Sequence, residues 1–366
     1  MIGLCGTRAV AGGGSIRNMS PRVAAVILAA GSASRFDGES HKLRVEIDGV
    51  SVLARSVNAA RAVDFDDVFV VVGDDDFADI LPESGITVVF SPNWADGQAH
   101  SLQAAVAAAR AEAYDAIVVA PGDQPLVGAV TWAAVRDADQ TPFAVATYAG
   151  VQRPPTRLAS SIWDDLPTEG DQGARAAMKP SPELVTEVPS AGIPNDVDTI
   201  DALEGVRQLY ADRLAVTELL GRTPMGAFEV VVRNDDGEPV VLKNYPVLAN
   251  GRPMPTLYWL CGEHESMLVG RLESMKGVRR AEADIGVDAI NDAHDRYSAE
   301  RDAILDMAAS QPEHRPTGGV GGTRNGAKCL HAHYGYWLAG GDDPVGQWVH
   351  DHLHEVDTPR WPETSE

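Results

Sequence analysis

The sequence predicts an α/β protein, a doubly wound and mostly parallel sheet followed by a smaller α+β domain. Three observations carry this. Short apolar runs of strand length recur at 23–28, 68–72, 86–90 and 116–119. Segments of helical periodicity or alanine-rich composition, 52–62 and 101–112, alternate with them. Beyond a linker at 221–224 the texture changes to alternating strands, an aromatic run and helices.

The totals bound the function. At 366 residues the chain is long enough for two or three domains, and 44% hydrophobic content supplies real cores. The expected divisions are 21–207 and 208–356, with 1–20 a disordered leader and 357–366 a disordered tail. The leader is Gly-rich and lacks an apolar stretch proper to a signal peptide. Met19 is an alternative start, and Cys5 is incidental. A net charge of −23 argues against a general nucleic-acid binder and against docking on an anionic membrane. Three cysteines make no disulfide framework, which fits a reducing cytoplasm. No apolar run approaches a transmembrane span.

The first strand, 23–28, is β-branched at Val23, Val26 and Ile27 and ends in Ala29-Ala30-Gly31, where a backbone can pass close to a ligand. Ser32, Ser34 and Gly38 follow, and Arg35 and Lys42 place two cations past the turn. A strand, a small-residue loop and two cations make a cradle for polyphosphate, with Arg as a fork and Lys as a point charge. The spacing is not that of the Walker loop. Next, 45–47 with Asp48-Gly49 reads as a small hairpin, 52–62 as a helix, and 68–72 as a second strand closed by Gly73. The strand 86–90 leads into 93–102, where Gly97 permits close approach and His100 or Ser101 is placed to cap the alanine-rich helix. His100 reads as structural. The strand 116–119 runs into Ala120-Pro121-Gly122-Asp123-Gln124-Pro125. Asp123 therefore sits at a strand's carboxyl end, facing the ligand crevice of such sheets, and is a candidate Mg²⁺ ligand.

The stretch Leu28 to Lys42 resembles the signature loop of the MobA-like nucleotidyltransferases, and within them the molybdenum cofactor cytidylyltransferase branch. The resemblance extends to the W-x-x-G-x-x-x-S-L pattern ending at Leu102, to G-D-x-P around Asp123, to Gly170–Arg175 and to the D-x-D-T pattern closing at Thr199. It implies a Rossmann-like fold of the nucleotide-diphospho-sugar transferase type. It implies nucleotide binding by Leu28, Ala29, Ala30, Gly31, Ser32, Arg35, Lys42, Gly73, Gly97 and Ser101, with Arg35 and Lys42 catalytic. It implies Mg²⁺, or alternatively Mn²⁺, on Asp123 and Asp198, with Asp196 the less favoured choice. Asp171 and Arg175 would fix the acceptor loop. The family's Gly-x-Pro before the acceptor strand is replaced here, at Arg153 or Pro154, which leaves the acceptor open. The expected reaction moves NMP from an NTP to a phosphorylated acceptor such as molybdopterin, with pyrophosphate leaving. Ala30 favours CTP, since the guanylyltransferases tend to carry Gly there; GTP, a phospholactate or a sugar phosphate are rivals, as is a nucleotide sensor without turnover. Molybdoenzyme maturation proteins are expected partners.

In the second half, 204–220 reads as a helix, 228–233 and 240–243 as a hairpin, and 266–278 and 290–307 as helices. Cys329 to His333 opens a further helix. The region from about 211 to 353 resembles a bacterial domain family of unknown function, number 501 in its series, through L-G-R-x-P, G-x-P-V-V, G-R-L-E and K-C-L-H. Cys261, Cys329, His331 and His333 are candidate Zn²⁺ ligands, weighed against buried packing. Arg271, Glu273, His294 and Arg301 read as a structural ion network.

Overall fold

The computed structural model describes residues 21–357 except 39, 76, 172, 191, 249–250, 308–311 and 313. The leader, Met19, Cys5 and the tail beyond 357 lie outside the described residues. Strand β1 (Val23–Leu28) is sandwiched on both faces, with Ala24 to Ile27 fully buried, which is why its sequence is apolar without alternation. The hairpin β2 (Glu46–Ile47) and β3 (Val50–Ser51) leads into α1 (Val52–Arg61), capped by the Ser51 hydroxyl. The alternation continues through β4 (Asp67–Val72), β5 (Thr87–Phe90), α2 (Gln98–Ala111), β6 (Ala116–Pro121) and α3 (Ala129–Asp137). It ends with β7 (Phe143–Tyr148), β8 (Val151–Ala159), α4 (Ala174–Met178), β9 (Val185–Pro189) and α5 (Ile200–Leu220).

The seven strands are ordered β5-β4-β1-β6-β8-β7-β9. Only β8 runs antiparallel to its neighbours, so the sheet is mostly parallel. From β1 the chain moves first to β4 and β5 on one side and then to β6 on the other. The switch point, where ligands bind in such sheets, therefore lies between β1 and β6. Ile27, Leu53, Val57, Trp132 and Leu203 fill one face, and Val26, Phe69, Leu102 and Val106 fill the other.

Helix α2 starts at Gln98, earlier than the expected 101, and neither His100 nor Ser101 caps it. Gly97 holds the cap position at φ 127, and the remote Gly170 carbonyl accepts from Ala99 N at 3.0 Å. A side chain at Gly97 would meet that carbonyl at 2.8 Å. Helix α5 likewise starts at 200, not 204, with Thr199 accepting from Ala202 N. It runs unbroken through the 207/208 division, giving Leu203 and Val206 to the first core and Val216 to a cluster with Leu242 and Cys261.

The second body carries an antiparallel sheet of β10 (Phe228–Arg233), β11 (Pro239–Asn244) and β12 (Tyr258–Leu260). Helices α6 (Glu263–Ser274), α7 (Gly277–Ile285), α8 (Val287–Asp306), α9 (Leu330–Leu338) and α10 (Pro344–His352) accompany it. The expected helix 266–278 is two helices, parted where Lys276 turns left-handed at φ 63. Their core centres on Leu257, Leu272, Tyr297 and Leu330. Among the described residues no helix is long and apolar enough to cross a membrane.

Candidate active site

The end of β1 and the end of β6 meet side by side. Leu28 pairs with Pro121, and Gly122 N donates to Leu28 O at 2.8 Å. This places the 29–35 loop next to Asp123. The loop before α5 joins them because Val197 N donates to Asp123 O at 3.0 Å and Gln124 Nε2 donates to Asp196 Oδ1 at 2.8 Å. Asp198 is thereby delivered to the same spot, while Asp196 is occupied by Gln124.

Lys42 opens a short 3-10 turn (Lys42–Arg44) and is buried. Its Nζ donates to Asp123 Oδ2 at 2.5 Å and to Asp198 Oδ1 at 2.7 Å. Arg35 Nη2 meets Asp198 Oδ2 at 2.9 Å from a side chain that is 75% exposed. Burial alone would lower the Lys42 pKa, but the two carboxylates outweigh it and hold the ammonium above its ordinary value. Asp123 Oδ1 is buried with no protein partner. A buried carboxylate oxygen left unpaired is costly unless something else completes it. One or two carboxylate oxygens beside a phosphate pocket is the donor set Mg²⁺ or Mn²⁺ takes, so the residues fit a divalent cation.

His41 ties the cradle together. Its Nδ1 accepts from Leu43 N at 3.2 Å, so in the neutral ring Nε2 carries the proton and donates to Gly31 O at 3.1 Å. The ring also packs edge-on against Phe77. His41 thus fixes the Lys42 turn against the Gly31 loop, a role nothing in the sequence signalled.

The crevice has a volume of about 540 Å³. Leu28, Ala29, Ala30, Gly31, Ser32, Arg35, Lys42, Gly97, Ser101, Asp123 and Asp198 all line it. Gly73 does not; it lies beneath Trp94, whose ring a Cβ at 73 would meet at 2.7 Å. Its smallness seats Trp94, which lines the crevice in its place. A Cβ on Gly31 would meet no protein atom within 4 Å, so no packing in the chain demands glycine there. His100 lies in the first turn of α2 and does not line the crevice. A second chamber of about 730 Å³ adjoins the first, sharing Leu28, Gln98, Pro121 and Asp171 in its walls. Arg153, Arg175 and Lys179 line it and give it a basic character.

The sulfur and imidazole set of the second body does not assemble as expected. Cys261 packs with Val216 and Leu242, its Sγ donates to Val240 O at 3.5 Å, and burial pushes its thiol up to about 12. His333 is buried on Asp343 at 2.7 Å. Only Cys329 and His331 come together, and Glu273 joins them. The expected ion network is also dispersed: Arg271 donates to Val356 O, His294 binds the 320–326 loop, and Arg301 pairs with Asp302.

Residues 25–186 match the family model of the MobA-like NTP transferase domain, and residues 230–351 match a family of unknown function, DUF501. Several solved structures resemble the first body. A Mycobacterium tuberculosis Rv0371c homolog from Mycobacterium sp. strain JC1 is 25% identical, covering 52% of this chain and 97% of its own, with a TM-score of 0.46. A nucleotidyl transferase from Methanothermobacter is 21% identical over 52% of this chain and 99% of its own, with a TM-score of 0.46. Rv0371c from Mycobacterium tuberculosis H37Rv, solved in complex with manganese, is 24% identical over 51% of this chain and 98% of its own, with a TM-score of 0.45. No curated protein matches.

Proposed function

We propose that the first body is a nucleotidyltransferase that moves NMP from an NTP, with CTP favoured, to a phosphorylated acceptor, with molybdopterin the leading candidate. One observation carries the reading. Lys42, Arg35, Asp123 and Asp198 converge at the sheet's switch point beside the small-residue loop, Asp123 carries an unpaired buried carboxylate oxygen, and a basic chamber adjoins the crevice. An acceptor phosphate oxygen attacks the α-phosphorus, the bond from that phosphorus to the oxygen bridging to the β-phosphate breaks, and pyrophosphate leaves with the electron pair. A phosphate monoester is already anionic, so alignment and charge neutralisation suffice without a strong base. Arg35, whose side chain is largely exposed, would meet the β- and γ-phosphates. Lys42, which is buried, would lie against the transferred phosphate. Asp123 and Asp198 would hold a divalent cation, which when bound supplies charge neutralisation for the triphosphate. Arg153, Arg175 and Lys179 suit an anionic acceptor in the adjoining chamber.

Ala30 supports CTP over GTP, because its Cβ narrows the loop where a base would press. One methyl group is worth only about 1–3 kcal/mol of discrimination. The test incubates the full chain with each NTP, Mg²⁺ and molybdopterin and measures pyrophosphate. CTP- and acceptor-dependent release is expected. Release with GTP alone reassigns the base, and no release with any pair overturns the activity.

A further inference from the structure

The second body holds a cluster of donor atoms that nucleotidyl transfer does not use. Glu273 lies in the last turn of α6, Cys329 precedes α9 and His331 lies in its first turn. His331 Nδ1 is 3.7 Å from Cys329 Sγ and 3.3 Å from Glu273 Oε1. All of the ligand atoms lie within 4.8 Å of one another. The other ring nitrogen, Nε2, is 3.1 Å from the Ser266 backbone oxygen. A carbonyl only accepts, so Nε2 carries a proton toward Ser266 O, and Nδ1 is the ring atom shared by the Cys329 sulfur and the Glu273 carboxylate.

This arrangement differs from a nucleophile–base–acid relay. A relay places its nucleophile and its carboxylate on different ring nitrogens. Here both meet the same one. Sulfur, nitrogen and oxygen donors within 4.8 Å of one another make a set that a Zn²⁺ ion takes. Zn²⁺ bonds of about 2.3 Å to sulfur and about 2.0–2.2 Å to nitrogen and oxygen set tetrahedral edges of about 3.3–3.6 Å. The observed separations of 3.3 and 3.7 Å are close to those edges. The Ser266 carbonyl is the outer partner that orients a ligating imidazole. Leu330 N, donating to Glu273 Oε1 at 2.7 Å, does the same for the carboxylate. The side chains of Glu273 and His331 are each 29% exposed, which leaves room for a fourth ligand from solvent.

We propose that Glu273, Cys329 and His331 form an open Zn²⁺ site in the second body, chemically distinct from the all-oxygen site of the crevice, with water or an incoming ligand in the fourth position. Thiolate and imidazole select Zn²⁺ over Mg²⁺, and the crevice offers no sulfur.

Co²⁺ is the probe, titrated into the full chain after chelator treatment and dialysis. The expected result is a sulfur-to-cobalt charge-transfer band in the near ultraviolet with the strong visible bands of four-coordinate cobalt, displaced by Zn²⁺. Cys329→Ser abolishes the charge-transfer band, and His331→Gln and Glu273→Gln weaken Co²⁺ binding by about 100-fold. Cys261→Ser and Cys5→Ser keep the band. Far-ultraviolet circular dichroism checks that each variant is folded, and Glu273→Gln carries the test if Cys329→Ser is not. Absence of the band in the wild-type chain, or its survival in folded Cys329→Ser, overturns the proposal. So does unaltered Co²⁺ affinity in folded Glu273→Gln.

Discussion

The crevice of the first body and the Glu273–Cys329–His331 cluster of the second solve opposite problems. In the crevice, carboxylates 81 and 156 residues from Lys42 in sequence close on a resident ammonium. Its positive charges belong to the chain, so on the proposed reading a second cation would enter together with an anion that engages Lys42 and Arg35. That would suit the metal–polyphosphate pair of the proposed reaction, which comes and goes. In the cluster, a carboxylate and a thiol converge on one imidazole nitrogen. On the proposal above, Zn²⁺ would complete that geometry with sulfur, nitrogen and oxygen ligands. The difference teaches that donor type and built-in charge, more than burial, separate an exchangeable site from a resident one.

Asp123→Ala breaks the first half of the comparison most sharply. Pyrophosphate release is expected to fall by about 10³-fold or more, with the melting transition of the second body unmoved. Turnover that persists at the wild-type rate would remove Asp123 from the metal role. His41→Ala gives a smaller effect, a loss of about tenfold, or about 1.4 kcal/mol, because Lys42 remains but its turn is untied from the Gly31 loop. The loss should fall on kcat with little change in KM. It should be partly restored by His41→Asn, whose carbonyl can still accept from Leu43 N. An equal loss in His41→Asn would point to the ring's packing on Phe77 instead.

The second body sharpens the comparison through pH. His294 is buried and holds both nitrogens in use: Val320 N donates to Nδ1 at 3.0 Å, and Nε2 faces Gly326 O at 2.8 Å. Burial, with His333 nearby, lowers its pKa from the ordinary 6.5. The unfolded chain therefore binds the proton first as pH falls. The stability is present above about pH 6.5 and is lost as pH drops below it, with a slope of at most about 1.4 kcal/mol per pH unit for one proton. Denaturant unfolding of the second body between pH 8 and 5 should show this slope, and His294→Gln should flatten it. A slope unchanged in the variant would assign the titration elsewhere.

Much of the first body was legible. The apolar runs marked β1, β4 and β6, because strands buried on both faces have no polar side to show. The loop after β1 and the acids at 123 and 198 stood out by residue type beside strand or helix ends. His41 was not singled out, and Trp94 was visible only as the first residue of a motif, since what each does depends on partners from other loops. The cap of α2 was hidden for the same reason: Gly170, distant in sequence, completes it. In the second body the cysteines and histidines were visible, but their grouping was not. Packing sent Cys261 and His333 into cores and brought in Glu273, which had read as part of an ion network.

The sequence by itself determined the alternating elements, the phosphate-type loop and the chemical types of the site residues, because these follow from local periodicity and side-chain chemistry. Only the tertiary structure decided which acids meet Lys42, which nitrogen of His331 meets Cys329 and Glu273, and that Gly73 serves Trp94. Those outcomes rest on distances between segments far apart in the chain, and such distances exist only once the sheet and its loops have closed.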